Sequence, residues 1–169
     1  MLRISLVVLL GIVLCGCSPD YNWREVTLND GAGTAYFPDK PKTQKRDMQF
    51  EGHTIVFALT SVAVDDVLFS VGHAILPEAF RQDAAARQRF AQAVLASLYQ
   101  NLGHTPPTTL PDDGQSFVVE GRSAHGPVRL QAALWLTDRV LVEGLVTADT
   151  QDFPAAPAQE FLRGITPAR

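Results

Sequence analysis

Four histidines, two pairs of adjacent aspartates, one basic cluster and two cysteines are the side chains of this chain that invite chemistry. His53, His73, His104 and His125 include no pair at the i, i+2 or i, i+4 spacing of a local metal site. His73 alone falls inside a stretch that reads as a core strand. There an imidazole acts as a general base or ligand, or it is a buried ring bonded at one nitrogen, and the second reading is preferred. The other three sit beside glycines or prolines and read as solvated loop residues. Asp65-Asp66 and Asp112-Asp113 are the paired carboxylates. A glycosidase needs two carboxylates facing each other at roughly 5–9.5 Å, whereas adjacent acids at a turn serve more simply as turn formers. Neither pair carries the further oxygen ligands of a calcium loop. Gly31-Ala32-Gly33 lies in a hairpin with no helix after it, so it reads as a turn and not as a phosphate cradle. No G-x-S-x-G is present. The sequence therefore predicts no metal site, no cofactor and no catalytic set.

The cysteines carry a different message. Cys15 and Cys17 could form a redox pair only within a folded scaffold, and none surrounds them. They close an apolar run, Ile4 to Cys15, broken only by Ser5 and Gly11 and preceded by Arg3. The run falls short of the about 20 residues that a membrane span needs. A positive start, a short apolar middle and a small-residue end describe a signal peptide. Leu14-Cys15-Gly16-Cys17 resembles the lipobox of bacterial lipoproteins, with Cys15 standing where Ala or Ser is commoner. The resemblance implies that residues 1–16 are removed and that Cys17 becomes the acylated first residue, anchored in a lipid bilayer. Each buried acyl CH₂ contributes about 0.8 kcal/mol, so several chains hold firmly. The other reading is a plain secretory cut. Ser18 follows the cysteine, and the lack of Asp there, by resemblance to enterobacterial lipoproteins, implies the periplasmic face of the outer membrane.

Removing residues 1–16 leaves 153 of 169 and takes the formal charge from −4 to −5 by loss of Arg3. That length is one domain's worth, burying about two-thirds of its unfolded surface. A mildly acidic chain is a poor nucleic-acid binder. With both cysteines at the N-terminus, a disulfide, a cysteine nucleophile and a Cys-based zinc site are excluded from the domain.

The elements that must position these side chains follow from periodicity. Residues 17–22 are the lipidated cysteine and a short tether, and 23–169 are a single α+β domain. Trp23–Leu28 and Thr34–Phe37 read as a hairpin around the turn at 29–33, ended by the break at Pro38 to Pro41. Residues 54–64 and 67–76 are strands joined by Asp65-Asp66. In the second, Val67, Phe69, Val71, His73 and Ile75 point one way and Leu68, Ser70, Gly72, Ala74 and Leu76 the other. Neither set is polar, so a layer must cover each face. Residues 83–102 have helical period, with Asp83 as N-cap, Gly103 as stop, and a stripe through Phe90, Val94 and Leu98 expected on the sheet. Arg81, Arg87 and Arg89 read as the wet side. Phe117–Glu120, a hairpin of 128–137 and 140–147 turning at Asp138-Arg139, and a short helix at 155–164 complete the chain. Short turns demand antiparallel pairing.

Lys40, Lys42, Lys45 and Arg46 form the basic cluster. They can meet anionic headgroups beside the anchor, or be a solvated loop and sheet edge whose lysines deter edge pairing, the preferred reading. With the strand from Trp23 to Leu28 they are also the first candidates for a contact surface.

The layout, with "AYFPDKP", "FSVGHAILP", the later strand and hairpin, and "FLRGITP", resembles the PsbP-like fold, an antiparallel sheet between helical layers (an α/β/α sandwich). Gly164-Ile165 departs from the Ser-Phe expected in the closing helix. The resemblance implies a binding or scaffolding role. The expectation is thus a non-enzymatic, membrane-anchored envelope module whose partner is an envelope protein or small ligand. The alternative is a small periplasmic hydrolase with His73 as general base.

Overall fold

A computed structural model describes residues 21–124 and 126–169. Residues 1–20, with Cys17 and the segment expected to be a signal peptide, and His125 lie outside the described residues.

The fold is α+β, built on two antiparallel sheets. Strands β1 (Arg24–Leu28) and β2 (Gly33–Phe37) form a hairpin, and β9 (Thr166–Pro167) adds to β2. The larger sheet contains β3 (Lys42–Phe50), β4 (His53–Val64), β5 (Val67–Ile75), β6 (Phe117–Ser123), β7 (Gly126–Leu136) and β8 (Val140–Asp149), in the order β3-β4-β5-β8-β7-β6. Helices α1 (Glu78–Arg81) and α2 (Ala84–Asn101) follow β5, and α3 (Ala155–Arg163) follows β8.

The two-sided burial expected of β5 is what the core shows. Phe69 and Val71 join one cluster with Phe37 from β2 and Phe161 and Leu162 from α3. Ala74 and Leu76 join another with Phe80 from α1 and Phe90, Ala91 and Val94 from α2. One sheet face is therefore roofed by α3 and the small sheet, and the other by α1 and α2. The Phe161 ring lies 5.3 Å from both Phe37 and Phe69.

Helix α2 starts and stops where its sequence says. The Asp83 carboxylate accepts from the Ala86 N–H at 3.0 Å, satisfying one orphan donor of the first turn. Gly103 takes φ +79 just past the end, a conformation that costs glycine least. Phe90 and Val94 are buried as expected, but Leu98 is only half-buried. Leu98 lines a cavity with Phe57 and Leu59 of β4 and Leu145 of β8, so this part of the stripe borders a groove instead of the core.

Three elements escape the sequence pattern. Strand β3 was expected as a basic loop or sheet edge; it is the edge strand, with residues 42–47 all exposed. Its order comes from pairing along β4, including a Thr43–Thr60 hydroxyl contact of 2.9 Å, and not from burial. The four-residue α1 and two-residue β9 are too short to carry a period.

Candidate functional site

Strand β8 runs Val140, Leu141, Val142, Glu143, Gly144, Leu145, Val146. Alternation sends Val140, Val142 and Val146 to the α3 face and Leu141 to the α2 face. Glu143 shares the parity of Leu141 and so enters the α2 side, where only 5% of it is exposed. Its register neighbours are Gly72 on β5 and Leu134 on β7. Gly72 makes the room: a Cβ there would stand 2.6 Å from Glu143 Oε1 and 2.8 Å from Phe57 Cε1. Glu143 Oε2 has no hydrogen-bond partner among the described residues. Burial pushes the carboxyl up to about 7, against the downward pull of Arg46.

This carboxyl lies at the floor of a cavity of about 330 Å³. Phe57, Leu59, Leu98 and Leu145 supply apolar wall; Gln44, Lys45, Arg46, Ser97 and Asn101 supply polar rim. The Arg46 guanidinium carbon sits 5.7 Å from the Phe57 ring centre, a cation–π placement. It has no ion pair within 4.0 Å among the described residues. Lys45 is committed elsewhere, donating to Asp30 Oδ2 at 2.7 Å. Ser97 donates its hydroxyl to the Val94 carbonyl at 2.8 Å, so it is not set up as a nucleophile. No second carboxylate lines the groove. The arrangement offers apolar walls, one unspent cation and a carboxyl that exchanges its proton near neutrality.

His73 lies on the opposite sheet face, as the alternation of β5 requires, and is 1% exposed. Burial lowers its pKa first of all; the Asn29 carbonyl and Asp30 oppose that shift and Lys45 adds to it. The Asn29 carbonyl is thus the acceptor near the ring, short of strict hydrogen-bonding geometry, and no described side chain bonds either nitrogen. Asp30, the nearby carboxylate, holds Lys45 instead. His73 is thus without the carboxylate or hydroxyl partner that orients a general base.

The remaining sequence candidates are dispersed. Lys40 is in the turn before β3, while Lys42, Lys45 and Arg46 are on it. Alternation divides them, Arg46 rising over Phe57 and Lys45 crossing to Asp30. Asp65-Asp66 forms the β4–β5 turn, with Asp65 at φ +50. Asp113 accepts from the Leu136 N–H at 3.1 Å and ties its loop to the end of β7. The His53 ring packs 5.1 Å from Phe80 at the start of β4, so it is a strand residue and not a loop one. His104 is exposed and bonds the Glu120 carbonyl. Among the described residues no three His, Cys, Asp or Glu side chains converge.

Glu143 was missed in the sequence. Its signal was present: an acid in the middle of the apolar run Val140 to Val146, which must be paired, neutralised or in use. Comparisons with family models, with curated proteins and with solved structures find no match to this chain.

Proposed function

We propose that the chain is a lipid-anchored protein of the bacterial envelope that binds a small ligand without turning it over. The anchor is Cys17, at the periplasmic face of the outer membrane, and the domain begins a few residues beyond it. The PsbP-like reading belongs to the same proposal. It draws support from a central antiparallel sheet with α2 on one face and α3 on the other.

One observation carries the binding function: the unpartnered Glu143 carboxyl at the floor of an open groove. A buried polar group without a partner costs stability, roughly 1–3 kcal/mol, and such a cost is retained where a ligand removes it. Apolar walls with a few convergent polar groups are the usual make-up of a small-molecule site. The basic residues Lys40, Lys42, Lys45 and Arg46 are proposed as the contact surface toward membrane or partner, with Arg46 shared with the groove.

Three measurements test this. Cys17→Ser should leave the protein unprocessed or soluble; a variant that still floats with membranes after an alkaline wash, and loses the same N-terminal segment, removes the anchor. Native mass spectrometry of protein taken gently from envelopes should show a bound small molecule that Gly72→Leu excludes. Turnover of model esters or glycosides that disappears in His73→Ala points to the hydrolase instead.

A further inference from the structure

We infer that the groove between β3 and the end of α2 selects a small amphiphile with one carboxylate head, and that Glu143 takes up a proton from solvent when this ligand binds. The inference rests on the binding role proposed above and specifies its ligand.

The charges around the groove set the sign. From β3, Lys45 and Arg46 line it; from α2, Ser97 and Asn101; from β4, Phe57 and Leu59; β5 contributes no lining side chain, its Gly72 lying beside the Glu143 carboxyl. No acid other than Glu143 lines it. Lys45 is neutralised by Asp30, which leaves Arg46 as the cation without an ion pair among the groove's described residues. An amine head would bring a second cation to Arg46. A carboxylate head pairs with the guanidinium, for which two oxygens in a plane are the fitting partner.

Glu143 then completes the site in its neutral form. As COOH it donates its O–H to a ligand oxygen and satisfies the oxygen that has no partner among the described residues. As COO⁻ it would repel the head across a few ångströms of low dielectric. Its ordinary range would forbid the neutral form at neutral pH, but burial has already raised it to about 7. Little further shift is needed to bind a proton in the complex. The apolar body lies against Phe57, Leu59, Leu98 and Leu145, and the cavity of about 330 Å³ is at the small end of ligand pockets.

The chemistry is shared by a free acid and by a fatty acid shed from the membrane. Octanoate, octanol and octylamine serve as matched probes. Binding is measured by calorimetry at about pH 6 and about pH 8, in buffers of differing ionisation enthalpy, with the methyl resonances of Leu98 and Leu145 reporting location. Octanoate should bind, with proton uptake, and about tenfold more weakly at the higher pH. Glu143→Gln should bind octanoate with no pH dependence, because a carboxamide still donates but does not titrate. Arg46→Gln should lose about tenfold at both pH values. Dodecanoate offered in phosphatidylcholine vesicles separates the sources: extraction by the protein supports a membrane-derived acid, and binding of free octanoate alone supports a soluble one. Tighter binding of octylamine with proton release overturns the carboxylate assignment and leaves the groove as a site. Failure of all three probes to move Leu98 and Leu145 overturns the inference; if native mass spectrometry still shows a molecule that Gly72→Leu excludes, the binding role itself survives.

Discussion

Each face of the six-stranded sheet buries one titratable side chain, and the surroundings of the two differ. On the α3 face, His73 lies in line with the Phe69 and Val71 cluster beneath the β1–β2 hairpin, and no described side chain bonds its ring nitrogens. On the α2 face, Glu143 lies where the helix stripe ends at half-buried Leu98, and an open groove meets its carboxyl. Burial disfavours the charged form of both groups. Only Glu143, raised to about 7, has beside it a cation without an ion pair among the described residues. His73 also borders a cavity, of about 510 Å³, but the Lys45 and Asp30 charges that line it are paired with each other. The lesson is that neither burial nor an adjoining cavity marks a site; the charges that line it must also be unspent.

The largest expected effects test that contrast in packing. Phe161→Ala empties the point where α3, β2 and β5 meet, and should cost about 3–5 kcal/mol in a urea melt. On a helix stripe buried along its length, Leu98→Ala would cost about 2–5 kcal/mol. Bordering a groove, it should cost only about 1 kcal/mol. Equal losses would mean that the α2 face is as filled as the α3 face.

Next in size is the pH dependence, where the two buried groups act with opposite sign. Glu143 is raised from 4.5 to about 7, so the folded state binds more protons than the unfolded state between those values. Stability therefore falls as pH rises through that window, by on the order of 3 kcal/mol, and levels off above it. Glu143→Gln should abolish the fall and leave the protein more stable at alkaline pH. His73 is lowered from 6.5, so the unfolded state binds more protons below that value. Its contribution is complete above pH 6.5 and is lost as pH falls below it. In His73→Gln the Glu143 slope should stand alone and steepen on the acid side. Identical pH profiles for the two variants would dissolve the distinction between the faces.

Much of this architecture was legible, because it rests on local pattern. The alternation of β5 assigned Phe69 and Val71 to one face and Ala74 and Leu76 to the other, and Asp83 and Gly103 bounded α2. The groove was not legible, because it depends on long-range coincidence. Glu143 acquires its space from Gly72, more than seventy positions away, and its cation from Arg46 on a strand with no apolar period. Likewise the basic cluster read as one patch, whereas a period of two sends Lys45 to Asp30 and leaves Arg46 over Phe57. His73 drew notice as a histidine in a core strand, but residue type did not reveal that no described side chain bonds either ring nitrogen.

A smaller change sharpens the role of Gly72. Gly72→Ala forces a methyl into the Glu143 carboxyl and the Phe57 ring edge at 2.6 and 2.8 Å. Overpacking of this kind costs about 1–3 kcal/mol. The carboxyl end can swing aside and the ring is less free, so the substitution should close the groove before it unfolds the sheet. Loss of probe binding at nearly full stability would separate the groove from the core. Retained binding would show that the space over Gly72 is not what admits the ligand.

The smallest effect should come from the outer side of α2. Arg89 grips Glu51 with two parallel bonds, Nε to Oε1 at 2.7 Å and Nη2 to Oε2 at 2.9 Å, and so links the helix to the β3–β4 turn. The geometry is good, yet the two side chains are 52% and 38% exposed. Water competes with each bond, salt screens the charges, and holding two long side chains in one arrangement costs entropy. Arg89→Ala should leave the melting midpoint within the scatter of repeat melts at physiological salt, with a slight drop at low salt that vanishes as salt is added. Octanoate binding should also be unchanged, because Arg89 does not line the groove. A loss approaching that of Phe161→Ala would mean that the turn is held to α2 by this pair. The edge strand carrying Arg46 would then depend on the helix through the Glu51 turn, and the α2 face would owe its shape to a surface contact instead of to the end of the apolar stripe.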